Sequence, residues 1–219
     1  MKFRRKSEVA QLEQTEGDLA AEDADAPAPP TGPFNYEAVA EDGVPRVDLG
    51  SLLIPVTPDR EIRLQMTEST QEVIAVQIVG PDGALEVRAF AAPRNGDLWG
   101  QARADILAEA AGRGAELQPR EGRFGVELIS EVVVETPDGP GRVPARLIGV
   151  NGDRWLLRGS FIGGPATDPD LSQDWDETFA SLAVRRGSHA LPVGDPLPLT
   201  LPTQQMQPVR PPANPPDAG

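Results

Sequence analysis

Arginine and carboxylate are the side chains from which this sequence could build chemistry. It has no cysteine, one histidine, His189, and two lysines, Lys2 and Lys6. Without thiolates there are no disulfides, cysteine nucleophiles, iron–sulfur ligands or thiolate zinc sites. A Ser-His-Asp triad would have to run through His189, at the edge of a Pro-rich C-terminus. Both lysines precede residue 7, so a phosphate loop of the Walker type and a Schiff-base lysine are excluded from the folded part.

Among the carboxylates, Asp168, Asp170, Asp174, Asp176 and Glu177 start with the alternation of a calcium loop. Counted from Asp168, position six is Gln173 where glycine is needed, and position twelve is Phe179 where a bidentate glutamate is needed, so the motif fails. Acidic residues in the first turns of a helix complement its dipole, which is the role expected here. Asp105 and Glu109 stand at i, i+4 but off the apolar stripe of their helix, which reads as a solvated face. Gly122-Arg123-Phe124-Gly125 has the spacing of a KH loop but follows Pro119 and opens a strand, whereas a KH loop joins two helices. No metal site and no cofactor are expected.

The arginines carry more. Arg88, Arg146 and Arg158 fall within predicted strands, and Arg94 follows Phe90-Ala91-Ala92-Pro93 just before a predicted helix. A guanidinium is a rigid bidentate fork that keeps its charge when partly buried, so Arg94, Arg146 and Arg158 are the candidates for clamping a carboxylate or phosphate. The competing role is an ion pair with a neighbouring Asp or Glu on the solvent face.

The elements that must position these residues read as follows. Glu61–Met66, Glu72–Val79 and Ala84–Ala91 are β-rich runs of period two, the last two joined by Pro81-Asp82-Gly83. Gly125–Val134, Val143–Val150 and Arg154–Ile162 repeat the pattern, separated by Pro137-Asp138-Gly139 and by Asn151-Gly152, the latter predicting a type I′ turn. Asp97 is the expected N-cap of a helix to about Gly112, with Leu98, Trp99, Ala102, Ile106 and Ala110 on one stripe. Asp168 caps a second helix with Pro169 at its first position and Leu171, Trp175, Phe179 and Leu182 along one side. The order βββ-α-βββ-α-β predicts an α+β domain, an antiparallel sheet of about six to seven strands carrying two helices. Trp99, Trp155 and Trp175, one per major element, are expected in the core.

Length and charge bound the rest. The 219 residues carry a formal charge of −14, and residues 34–190 hold 15 Arg against 25 Asp or Glu, a net −10, so duplex nucleic acid is repelled. Residues 1–33 run from a basic hexapeptide into an acidic, Pro-rich stretch and are expected to be a disordered tail. The C-terminus from Leu191 has nine prolines in 29 residues; its leucine–proline strip to Pro202 is assigned to the domain, and 203–219, with the PxxP spacing of Pro208 and Pro211, to a second disordered tail. The expected domain is therefore 34–202. No run reaches the roughly 20 apolar residues of a membrane span, and an acidic run stands where an export signal would have its apolar region, which leads to a cytoplasmic location without integral membrane association.

Four blocks, Asp42-Gly43-Val44-Pro45-Arg46-Val47-Asp48-Leu49-Gly50-Ser51-Leu52, Ala89-Phe90-Ala91-Ala92-Pro93-Arg94, Arg154-Trp155-Leu156-Leu157-Arg158-Gly159 and Gly194-Asp195-Pro196-Leu197-Pro198-Leu199, resemble in order and spacing an actinobacterial family described as domain of unknown function 3710. The resemblance implies no activity, cofactor or catalytic residue. Gene neighbourhood with a dUTPase in that family implies a nucleotide or genome-maintenance context. The element order is also similar to the PsbP-type α+β fold.

Three functions follow, in order. The first is a non-enzymatic protein-binding or adaptor domain with a protein partner; the second is a small-ligand or nucleotide-responsive domain with an arginine anion clamp; the third is a hydrolase using carboxylates alone, as glycosidases do.

Overall fold

The computed structural model describes residues 32–67, 72–136 and 139–201. The two expected tails fall outside these residues apart from Gly32 and Pro33, as do Pro208, Pro211 and the Pro137-Asp138 turn. In chain order the elements are β1 (Phe34–Asn35), α1 (Tyr36–Val39), β2 (Arg46–Asp48), β3 (Leu52–Pro55), β4 (Glu61–Met66), β5 (Val73–Gly80), β6 (Gly83–Ala91), α2 (Leu98–Gly112), β7 (Gln118–Gly122), β8 (Gly125–Thr136), β9 (Gly139–Asn151), β10 (Trp155–Gly163), α3 (Pro169–Ala180) and β11 (Ala183–Val184).

β4 to β10 form one antiparallel sheet in the order β4-β5-β6-β10-β9-β8-β7. Two meanders meet at β6 and β10, which pair from Trp155↔Ala91 to Gly163↔Gly83. The period-two runs explain this: Leu85, Val87, Ala89 and Ala91 of β6 are buried on one face, together with Trp155, Leu157 and Phe161 of β10. Pro81-Asp82 makes the two-residue turn between Gly80 and Gly83, as the turn signal predicted.

Each face carries one helix, and each helix sets an aromatic ring on a strand glycine. Asp168 caps α3 by accepting from the backbone N–H groups of Asp170 and Leu171, and the ring of Phe179 fills the space where a Cβ on Gly159 would stand. Asp97 caps α2 by accepting from Gly100 N, and the indole of Trp99 occupies the corresponding space over Gly149, on the opposite face. Trp99 is held there by its Nε1–H donating to Val126 O at 2.9 Å and by Asn151 Oδ1 accepting from its backbone N–H. All three tryptophans are buried.

The sheet of seven strands and the α2 and α3 helices match the α+β expectation, and a second sheet, β1-β11-β3-β2, adds to it. Its strands have two to four residues and include one parallel pair, β1 with β11. It shares the core side of the large sheet with α3, contributing Leu52, Ile54 and Val184 to the cluster that holds Val76, Leu157 and Trp175.

Two local expectations need correction. The Asn151-Gly152 turn is not type I′: the left-handed residue is Arg154, with φ of 61°, and Gly152 does not take positive φ. Gly152 is required instead because a Cβ there would overlap the indole of Trp155. The order βββ-α-βββ-α-β also omits β7, which pairs Gln118–Gly122 with β8 and makes Gly122-Arg123-Phe124-Gly125 the tip of a hairpin. The strip after Gly194 packs on the domain: Leu197 is buried and donates from its backbone to Ala89 O, and Thr200 donates to Leu49 O.

Candidate functional site

The candidate arginines occupy three different environments. Arg146, on β9, projects to the α3 side and is 2 % exposed. Its NH1 donates to Glu127 Oε1 at 3.2 Å and its NH2 to Asp176 Oδ1 at 2.5 Å, so it ties β8 and α3 to the centre of the sheet. The guanidinium also lies 4.2 Å from the Phe161 ring centroid. Both terminal nitrogens are thus committed to carboxylates inside the protein, on the buried rather than the solvent face.

Asp176 is one of the five acidic residues around α3, and the structure explains most of that cluster. Asp174 pairs with Arg60, whose guanidinium lies 4.0 Å from the Trp175 ring centroid, and Glu177 accepts from Arg123 NH1 at 2.6 Å. With Asp168 as the cap, four of the five acids dock or start the helix. Among the described residues, no group of three or more Asp, Glu or His could hold a metal ion.

Arg158, on β10, projects to the α2 side and is half-buried. Its cross-strand partners are Arg88 on β6 and Gly149 on β9, and it lies 5.2 Å from the centroid of Phe90. Glu86 is the nearby carboxylate and is already engaged by Arg88 Nε at 2.9 Å and Gln65 Nε2 at 3.3 Å. Burial lowers the Arg158 pKa, and the charge of Arg88 lowers it further, with Glu86 opposing. Arg146 and Arg158 therefore cannot form one clamp; the residue beside Arg158 is Arg88. Arg94 is exposed on the loop between β6 and α2.

A second region escaped the sequence reading. The two sheets part where β2, the end strand of one, faces β4, the end strand of the other. Between them lies a cleft of about 800 Å³ lined by Val47 and Leu49, the Val56–Arg60 loop and Glu61–Leu64. Ile62 and Leu64 turn their side chains toward the core cluster, while Val56 stands 60 % exposed at the rim. Asp59, Arg60, Glu61 and Arg63 add charges of both signs. The alternation Glu61-Ile62-Arg63-Leu64 could have marked an end strand; the β2 wall has no such signal, because three residues cannot show a period.

The profile of a family described as "Protein of unknown function (DUF3710)" matches residues 32–208. This chain belongs to the DUF3710 family. In this DUF3710 protein the block read from Asp42 to Leu52 contains β2 and one wall of the cleft, with Arg46 donating to both oxygens of Asp42 at 2.8 Å. That bond, with the backbone N–H of Val44, holds the Asp42 carboxyl at about 2. A search of curated proteins finds no match. Among solved structures, a crystal structure from Bacteroides thetaiotaomicron VPI-5482 is similar over 67% of this chain, with 15% identity and a TM-score of 0.40; the chain spans 50% of that structure's length. The solution structure of cyanobacterial PsbP from Synechocystis sp. PCC 6803 is similar over 64% of this chain and 92% of its own, with 14% identity and a TM-score of 0.34. No described helix is long and apolar enough to cross a membrane.

Proposed function

We propose that this DUF3710 protein is a non-enzymatic binding domain that receives an extended segment of a protein partner in the cleft between β2 and β4. The observation that carries the reading is the coincidence of an apolar cleft with two sheet ends. Among the described strands β4 and β2 each pair on one side only, so backbone donors and acceptors border a trough walled by Val47, Leu49, Ile62 and Leu64. An added strand takes main-chain hydrogen bonds from such an edge, and its alternate side chains enter the trough; this is β-augmentation. The mixed rim, Asp59 and Glu61 with Arg63, selects a segment whose outward side chains carry both signs rather than a uniformly charged one.

A single segment covers less than a standard interface of about 1,600 Å², which places the complex among transient ones. A photo-crosslinker at Val56 in the full-length chain tests the reading in cells. One at Arg94 is the control. Capture of a defined partner from position 56 and not from position 94, abolished by Ile62→Glu or Met66→Pro on β4, is the expected result. Equal capture from both positions would remove the cleft from the account.

A further inference from the structure

We propose that the α2 side of the seven-stranded sheet holds a binding site for a small carboxylate, gripped by Arg158 and Arg88. This site is on the opposite face from the cleft and stands independently of it. It rests on a local shortage of anions. Arg88 and Arg158 are directly opposite each other on paired strands, an arrangement that is destabilising for like charges. Among the described residues one carboxylate, Glu86, serves the pair, and its two oxygens are engaged by Arg88 and Gln65. Among the described residues Arg158 has an aromatic neighbour, Phe90, but no carboxylate or carbonyl bonded to its guanidinium. In a chain of net charge −14, with acids available to Arg60, Arg123, Arg146 and Arg185, a half-buried guanidinium left without one is a position held for something else.

The charge count selects the class of ligand. Two arginines and one glutamate leave a net +1, which one carboxylate neutralises and a dianionic phosphate would overshoot. A carboxylate also matches the planar two-pronged fork of a guanidinium. The surroundings describe the rest of the ligand. Gln77 pairs with Glu86 across β5 and β6, and Ser160 pairs with Glu86 across β10 and β6, so an amide and a hydroxyl flank the charged group on the same face. The indole of Trp99, lying over Gly149 next to Arg158, closes the far side. A hydroxy or amido acid of a few carbons has the charge and polar groups to meet this set.

The test is a titration of the full-length protein with lactate, 3-hydroxybutyrate, N-acetylglycine and, as a separate arm, inorganic phosphate at constant ionic strength, followed through the arginine Nε–H resonances and the melting temperature. The expected result is saturable binding of at least one carboxylate, tighter than phosphate, that moves the Arg158 Nε–H resonance. Arg158→Met and Arg88→Met each weaken it tenfold or more, and Arg94→Met leaves it unchanged. Methionine keeps the packing on Phe90 and removes the repulsion, so the unliganded Arg158→Met protein melts no lower than the parent. Four outcomes would overturn the proposal: no saturable carboxylate binding, phosphate binding the more tightly, binding that survives Arg158→Met, or an Arg158→Met protein that melts well below the parent.

Discussion

Arg146 and Arg158 stand on neighbouring strands of one sheet, and both carry a guanidinium against a phenylalanine ring, yet they differ in what surrounds the charge. Arg146 meets two carboxylates, Glu127 and Asp176, in the core. Arg158 meets another arginine and a glutamate already in use. The local supply of carboxylate separates the two: Arg146 is committed to carboxylates of the fold, and Arg158 is the one proposed to hold a ligand. Strand position alone does not decide it. On the α3 side the helix brings its own acids to the sheet, whereas on the α2 side the helix brings Trp99 and no acid to the Arg158 row.

The largest effect should come from breaking the buried group. Arg146→Met leaves Asp176 in the core without its counter-ion and Glu127 with the half-exposed Arg120 alone, at 3.3 Å, and loss of one member of a buried ion pair costs about 3–5 kcal/mol. Denaturant unfolding reads this directly. Replacing Glu127 and Asp176 by apolar residues of similar size in the same variant should recover most of the loss, because a buried ionic group and its hydrophobic replacement are often close in stability.

A smaller effect tests whether the α2 side is built as closely as the α3 side. Gly149→Ala places a Cβ into the indole of Trp99 and should cost about 1–3 kcal/mol as overpacking, with a change in tryptophan fluorescence as α2 shifts. A melting temperature equal to the parent's would mean that the helix rests loosely on that face.

The smallest effect concerns the exposed pairs, and pH separates them from the core. Arg46 holds the Asp42 carboxyl at about 2, and hydrogen bonds from Arg185, Arg63 and Arg123 hold Asp48, Glu61 and Glu177 below their ordinary values. In each case the unfolded chain takes up its proton first as pH falls. The contribution is complete above the unfolded carboxylate pKa of about 4. It is lost as pH falls from there through the folded values, toward about 2 for Asp42. Melting temperature should therefore be flat between pH 7 and pH 5 and decline below about pH 4, and salt should shrink the decline because these pairs face solvent.

The parts of the fold that were legible share a property: their signal is local. Period-two runs with Pro-Asp-Gly turns mark β4 to β6 and β8 to β10, and Asp97 and Asp168-Pro169 mark the starts of α2 and α3. The second sheet has no local signal, since it exists through Phe34 meeting Ala183 and Ala183 meeting Leu53, residues far apart in the chain with strands too short to show a period. β7 is exposed along its length and contains Pro119, so neither burial nor propensity announces it. For the candidate site, the arginines were legible as residues and their partners were not. Asp176 is thirty residues from Arg146, and Arg88 becomes the neighbour of Arg158 only through the β6–β10 register. The cleft depends on how two sheets part, which no single stretch of sequence encodes.

With the proposed carboxylate site, one sheet divides its arginines between holding the fold and holding a ligand. Unfolding free energies of Arg146→Met and Arg158→Met, measured side by side in denaturant without added ligand, test it most directly. The expected result is a loss of about 3–5 kcal/mol for Arg146→Met and no loss for Arg158→Met. Equal losses for the two variants would contradict it.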